Sequence, residues 1–329
     1  MTGTPGEDRL EPLTRLCSEG LAFLPESFLA RNAEFLQRSQ SADGGFPGPD
    51  GESDLYYTSF ALRAAGLLGI DGQLWPRAAG YLRDCVARVG DVVDCHCLLH
   101  AFHLCSSYGH PVRDVSDAAC TGEQVLAVLE GRRATGSGFS KQPGGGASVY
   151  HTFLASLCYA MLSRPMAGAE SAVELVRSRQ RADGGFADLA PDAPASGSGV
   201  NATAAAVQLL AMHDSLDAAT ASRAASFVVS AGHPQGGFAA YPDCPVPDAM
   251  STFTGLVTLW TTGSLDRMRL GLAARFIRRL RCDDGGFRGT EFDQRPDLEY
   301  TYYTLGALGI LGGHGAAAHA RQSRVSGEV

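Results

Sequence analysis

The sequence predicts an all-α protein, an α/α toroid in which six helix pairs close into a two-layered barrel. Three observations carry that prediction. A phrase ending in Gly-Gly-Phe recurs at Phe46, Phe186, Phe238 and Phe287, with a weaker Gly-Ser-Gly-Phe copy at Phe139. Successive phenylalanines lie 93, 47, 52 and 49 residues apart, so the first gap holds one further, degenerate unit. Repetition at such a period marks stacked helical units. The segments that follow the phrases, such as YYTSFALRAAGLLG, NATAAAVQLLAM, STFTGLVTLW and TYYTLGALGIL, are apolar over much of their surface. A helix apolar all round must be surrounded, which suits a closed ring better than an open solenoid.

Each element of the unit has its own reason. Residues 1–30 read as a leading helix and linker, 31–313 as the toroid and 314–329 as a frayed tail. The unit begins with an amphipathic helix, as in 31–40, 172–180, 223–230 and 272–280, where apolar residues recur at three- and four-residue spacing. These are the expected outer wall. A Gly-Gly turn ends each one, because glycine adopts positive φ without steric cost. The phenylalanine after it is expected to plug between neighbouring units. A polar loop follows, and the second, inner helix opens at Asp54, Asp94, Ser148, Asn201, Asp248 or Asp297, each placed as an N-cap. The degenerate unit, AAGYLRDCVARVGDVVDCHCLLHAFHLC, keeps both helices without the Gly-Gly-Phe phrase. No strand pattern of useful length appears.

Composition narrows the function classes. The 329 residues carry a net charge of −8 with no large basic cluster, which argues against a nucleic-acid or anionic-membrane surface. The one locally basic stretch, Arg275 to Arg281, reads as the outer face of a helix. No apolar run is long enough to span a bilayer and the first residues do not form a signal peptide, so a cytoplasmic protein is expected. The nine cysteines then read as reduced, buried small hydrophobes. Richness in Ala, Gly and Arg points to a GC-rich bacterial genome.

The inner helices point their N-termini at one mouth of the barrel. Asp54, Asp94, Asp248 and Asp297 would gather there, with Glu299 and His151 in the first turns. Each acid is either a helix cap or a carboxylic acid kept partly protonated by burial and like-charged neighbours, able to protonate an alkene or epoxide. Asp243 is the nearest candidate partner for Asp248. Aromatics concentrate on the same helices: Tyr56, Tyr57, Phe60, Tyr150, Phe153, Phe253, Trp260, Tyr300, Tyr302 and Tyr303. They are either helix packing or the wall of an apolar cavity whose ring faces stabilise cations. In DCHCLLHAFHLC, His96, His100 and His103 share a helical face with Asp94 in reach, but one helix rarely completes a metal site and the Cys spacing fits no zinc module. The glycine-rich loop Lys141 to Ser148 precedes no phosphate-binding lysine. The sequon at Asn201 has no role in a cytoplasmic setting.

QSADGGFPGPDGESDLYYTSFAL and RCDDGGFRGTEFDQRPDLEYTYYTLGAL resemble the repeat of protein prenyltransferase β subunits and squalene-type cyclases over roughly residues 30–313. In the β subunits, the resemblance implies a zinc held by Asp, Cys and His. Here Asp248 matches the Asp, but Met250 and Tyr300 fall at the Cys and His positions, and a thioether and a phenol replace thiolate and imidazole poorly. The basic phrase that grips diphosphate is replaced by AAYPDCPVPD. In the cyclases, the same helix start carries the catalytic acid, which PVPDAMSTFTGLVTLW places at Asp248 without either full cyclase motif. CTGEQ, 120–124, resembles the thioester motif of complement-type toroids but carries an additional Thr121.

The function expected from these readings is a metal-independent cyclase or isomerase of small-molecule metabolism, acting on an apolar isoprenoid or polyene substrate with no cofactor. Asp248 is the expected acid, with Asp297, Glu299 and His151 as partners. Asp54, Tyr57, Asp94, Phe153, Phe253, Tyr300 and Tyr303 are the expected cavity lining. Two alternatives stand beside it. One is a divergent prenyltransferase-like transferase needing zinc (with His151 or Cys244 as replacement ligands) or an α-like partner. The other is a non-catalytic toroid that binds an apolar ligand or a protein. A homodimer is a further possibility for the partner.

Overall fold

The computed structural model describes residues 7–112, 115–190, 193 and 197–326, the side chains of 7–11, 115–120 and 316–326 excepted. Helix α1 (Glu7–Leu21) leads into six pairs. These are α2 (Glu26–Ser39) with α3 (Leu55–Leu67), α4 (Leu74–Cys85) with α5 (Val92–Ser107), and α6 (Val115–Glu130) with α7 (Val149–Met161). They continue with α8 (Ala169–Ser178) and α9 (Val200–Met212), α10 (Ala218–Ser230) and α11 (Ala249–Thr261), and α12 (Leu270–Arg279) and α13 (Leu298–Ser326). The odd-numbered helices from α3 to α13 each touch the next, and α13 touches α3, so the inner layer closes. The first pair opens at Glu26, ahead of the expected residue 31. The backbone of 314–326 continues α13 as helix rather than ending before it.

Outer helices are amphipathic and inner ones apolar, for the reason the pattern gives. In α12, Ala273, Phe276 and Ile277 are buried while Arg275, Arg278 and Arg279, with Arg281 just after the helix, lie exposed. In α11, nine of thirteen residues are buried, because neighbours press on it from both sides of the ring and from the outer wall. The described cysteines are unpaired, and Cys17, Cys85, Cys95, Cys97, Cys105 and Cys158 are buried.

The Gly-Gly-Phe phrase is a joint between repeats as well as a turn. At the ring closure, Gly285 (φ 91°) and Gly286 (φ 73°) lie against the first outer helix. A Cβ on Gly285 would fall 2.6 Å from the Arg31 carbonyl oxygen, and one on Gly286 would fall 2.7 Å from the Phe35 ring. The Gly286 amide donates to Asn32 Oδ1 at 3.0 Å, and Arg31 donates to the Asp283 carbonyl at 3.2 Å. The pairs at Gly44, Gly184 and Gly236 meet the next outer helix in the same way. The following phenylalanine then pairs, as a two-residue ladder or single bridge, with the residue that caps the inner helix: Phe46 with Asp54, Phe139 with Ser148, Phe186 with Gly199, Phe238 with Asp248 and Phe287 with Asp297. Each phenylalanine amide donates to a threonine four residues past the cap: Thr58, Thr152, Thr203, Thr252 or Thr301, at 2.9–3.0 Å. These ladders are too short for any alternation of side chains to register in sequence.

Helix α1 is more than a leader. It packs backbone to backbone on α13: a Cβ on Gly20 would sit 1.8 Å from the Gly309 carbonyl oxygen, and one on Gly309 would sit 2.3 Å from that of Cys17. Interior glycines weaken a helix, and Gly309, Gly312 and Gly313 of α13 are explained by this close crossing.

Candidate active site

The mouth of the ring is built from helix caps. Asp54 accepts from the Tyr57 amide (3.1 Å), Asp248 from Ser251 (2.7 Å), Asp297 from Glu299 and Tyr300 (2.8 and 3.2 Å), and the Ser148 hydroxyl from His151 (3.2 Å). Two expected caps are corrected. Helix α5 is capped by Asp91, which accepts from the Asp94 amide, while Asp94 reaches back to the Gly90 amide at 3.0 Å. The arrangement is a variant of the capping box in which the back-reaching carboxylate takes the amide of the residue before the cap, and the Asp-Val-Val-Asp spacing carries it. Helix α9 is capped by Gly199, and Asn201 instead accepts the Thr254 hydroxyl at 2.6 Å across the inner wall.

Burial raises Asp248 and Asp297 above the ordinary carboxylate value, and the helix amides they accept from work against it. Glu299 lies in the first turn of α13, two residues past the Asp297 cap. It accepts the Tyr56 hydroxyl at 2.7 Å and also interacts with the Tyr303 hydroxyl. Desolvation is the largest influence on Glu299 and raises it; the neighbouring Asp297 charge acts in the same direction and the two phenols oppose it. Burial thus favours the neutral form of this carboxyl, while the two phenols are placed to stabilise its anion. Asp297 and Asp248 lie close enough for both, together with Glu299, to push the Tyr300 phenol up to about 12, after the larger effect of burial.

The other expected residues divide. His151 shares its surroundings with Ser148, Asp188 and Asp91 rather than with Glu299 or Asp248; its Nδ1 is 3.0 Å from the Ser148 hydroxyl, and burial lowers its pKa. Asp243 is exposed on a loop at φ 67°, and no hydrogen bond described for Asp248 comes from it. Tyr57 and Tyr300 stand at equivalent positions, three residues past their caps, and each ring lies on a glycine two residues past the phenylalanine. A Cβ on Gly48 would meet Tyr57 at 3.1 Å, and one on Gly289 would meet Tyr300 at 2.6 Å. The last glycine of Gly-Gly-Phe-x-Gly therefore seats a tyrosine at the mouth. Where the cap-plus-three residue is Ser251 or His151, the matching position is Ala240 or Lys141 instead.

Below Glu299 the rings converge. Phe60 lies 4.8 Å from Tyr56, 5.6 Å from Tyr302 and 5.2 Å from Tyr303; Phe253 lies 5.6 and 5.5 Å from the same two tyrosines. Gly306 leaves room for Phe253, since a Cβ there would fall 2.5 Å from its ring. Tyr302, Tyr303 and His100 are half-buried around this group. Tyr150 faces the same group, within range of the charges of Glu299 and Arg63. Phe153 is half-buried and packs between the two parts of the hydrophobic core.

Sequence reasoning missed Arg63. Its guanidinium lies over the Phe60 ring at 4.9 Å and the Tyr302 ring at 5.7 Å, and Nη2 meets His96 Nδ1 at 3.2 Å. The signal was present: it is the one charged residue within the thirteen of α3. His96 and His100 are lowered by burial first and by Arg63 second. They face this arginine rather than forming the metal group weighed for their helix. Among the described residues no three His, Cys, Asp or Glu side chains gather as metal ligands. The zinc implied by the β-subunit resemblance does not fit its own position either, where Met250 offers a thioether and Tyr300 is seated on Gly289. Cys120, which opens the thioester-like phrase, lies outside the described side chains.

A family model, the prenyltransferase alpha-alpha toroid domain, matches residues 21–90 and 160–326. No curated protein matches the chain significantly. Among solved structures, protein geranylgeranyltransferase-I from Candida albicans, complexed with GGPP, is similar with a TM-score of 0.64 at 12% identity, covering 85% of this chain and 90% of that one. A variant of the type II terpene cyclase MstE from Scytonema, in complex with its product merosterolic acid A, gives 0.59 at 13% identity over 92% and 98%. The GH76A alpha-1,6-mannanase from Salegentibacter gives 0.58 at 10% identity over 86% and 98%. Likeness at these identities is likeness of fold. Among the described residues, no helix is long and apolar enough to cross a membrane.

Proposed function

The chain belongs to the prenyltransferase alpha-alpha toroid family, and on that premise we propose that it is a metal-independent cyclase or isomerase of an apolar isoprenoid or polyene. The observation that carries this reading is Glu299: a desolvated carboxyl, held by the Tyr56 hydroxyl at 2.7 Å, above an interior walled by Phe60, Phe253, Tyr302 and Tyr303. In this reading Glu299 replaces Asp248 as the leading acid, because Asp248 is occupied in capping α11.

The proposed step is a proton transfer. The Glu299 O–H bond breaks and its proton forms a C–H bond at a substrate alkene, or an O–H bond at an epoxide. The Tyr56 hydroxyl stabilises the carboxylate left behind. The cation formed is stabilised by the ring faces below and is attacked by the next alkene, closing a carbon–carbon bond. Loss of a proton from carbon to the carboxylate ends the sequence and restores the acid; where water takes that proton, the carboxylate regains one from solvent. A positioned acid of this kind contributes about 10²–10⁴ in rate. Asp297 raises the proton affinity of Glu299 by its charge, while Tyr57 and Tyr300 shape the entrance. The comparison with MstE supports the reading at the level of fold, and the departure from the β-subunit zinc ligands argues against the transferase alternative.

The test is incubation of metal-analysed protein with a panel of isoprenoid alcohols, acids and diphosphates, with products identified by mass spectrometry. A cyclised isomer made by zinc-free protein, and lost in Glu299→Gln, is expected. A bound zinc with turnover of diphosphates alone would overturn the reading in favour of transfer.

A further inference from the structure

We infer that Arg63, with His96 and His100, forms an anion-binding subsite inside the ring, and that it takes the carboxylate end of an otherwise apolar chain. Arg63 sits at an interior position of α3 where a lone charge is costly. None of the ion pairs among the described residues includes it. Its one hydrogen bond among those residues is to His96 Nδ1, which as the acceptor leaves the His96 proton on Nε2. Arg63 Nε and His100 Nδ1 are buried without a partner. The ring faces of Phe60 and Tyr302 compensate part of the charge but accept no N–H in the guanidinium plane. His96 and His100, held neutral by burial and by Arg63, add hydrogen-bonding capacity without adding charge. The groups around the guanidinium therefore comprise one fixed cation, two neutral imidazoles, the Cys97 thiol, the Tyr150, Tyr302 and Tyr303 phenols and, further off, Glu299.

That inventory selects the ligand class. A guanidinium fork matches a carboxylate with two parallel N–H···O bonds. A monoanion balances the single cation, whereas a diphosphate brings more negative charge than one arginine offsets, and the mouth it would pass is lined with Asp54, Asp248 and Asp297. Arg63 follows Tyr56 by seven residues, two turns of α3 on the same face, or about 10 Å along the axis. A chain anchored at Arg63 thus runs past Phe60 and Tyr303 and presents its far carbons to Glu299. The inference rests on the proposed function only for what happens at those carbons; anchoring itself needs no turnover.

The test is calorimetric titration of the full chain with farnesoic acid, farnesol and farnesyl diphosphate, on wild type, Glu299→Gln and Arg63→Gln. Wild type and Glu299→Gln are expected to bind the acid at least tenfold more tightly than the alcohol, and Arg63→Gln is expected to bring the two together by weakening only the acid. Equal binding of acid and alcohol by wild type, tightest binding of the diphosphate, or no binding of either acid or alcohol would overturn the inference, and these comparisons stand even if Arg63→Gln fails to fold. An acid preference that survives in folded Arg63→Gln would overturn it as well. Preference for the acid without any cyclised product from wild type would leave the subsite standing and sink the cyclase reading.

Discussion

Glu299 and Asp248 are both raised carboxyls near one mouth, but their hydrogen bonds give them different work. Glu299→Gln keeps size and polarity and removes the proton. Turnover is expected to fall by about 10²–10⁴, and wild-type turnover is expected to decline as pH rises through the raised Glu299 pKa, as a pH–rate profile will show. Asp248→Asn keeps a good N-cap and is expected to keep stability, whereas Asp248→Ala is expected to lose about 0.5–2 kcal/mol in denaturant titration. The sign of the pH dependence of stability follows from the same groups. Their folded pKa values lie above their ordinary 3.8 to 4.5. The stability they contribute is therefore present below that range and lost as pH rises through the folded values, and Glu299→Gln should flatten that decline. At this scale the sequence was partly legible. Glu299 stood out as an acid in a first turn, but its partner Tyr56 comes from a helix 243 positions away, and no local pattern joins them. Arg63 could have been found by asking why an apolar inner helix keeps one arginine.

The repeating element is more constrained than its turn suggests. The phenylalanine amide of each complete phrase is buried on a threonine four residues past the cap, and Thr252 also donates to the Asp248 carbonyl at 2.6 Å. Thr252→Val keeps the volume and strands the Phe238 amide. A loss of about 1–3 kcal/mol is expected by chemical denaturation, and a change within experimental error would mean that the joint is not held this way. Glycine's conformational freedom was readable, because a turn at a helix end demands it locally. The other half of the reason, contact with the outer helix of the next repeat, was not, because a sequence does not say which helix comes to lie against a turn. The same gap explains Asp94 and Asn201: both are polar residues at the start of an apolar run, and only the path of the preceding loop decides that Asp91 and Gly199 take the cap positions.

At the scale of the whole molecule, the ring is closed by Gly285 and Gly286 against Arg31, Asn32 and Phe35, and by α1 against α13. Gly286→Ala meets the Phe35 ring at 2.7 Å from a backbone at φ 73°, so it is strained on both counts. It is expected to lower the midpoint of thermal unfolding and to increase proteolysis within α1 and α2 before the middle repeats. Uniform susceptibility along the chain would show that closure carries no special weight. The toroid itself was legible from repeat period and inner-helix apolarity. Docking of α1 was not, because the glycines of α13 read as ordinary helix weakening until their partner backbone is seen.

The most direct test of the central claim is deuterium incorporation from D2O during turnover of the isoprenoid panel. Proton-initiated cyclisation predicts a product isomeric with its substrate that carries one solvent deuteron on carbon, formed by zinc-free wild type and lost in Glu299→Gln. An unlabelled product accompanied by released diphosphate, or a labelled product formed at the wild-type rate by Glu299→Gln, would contradict the account.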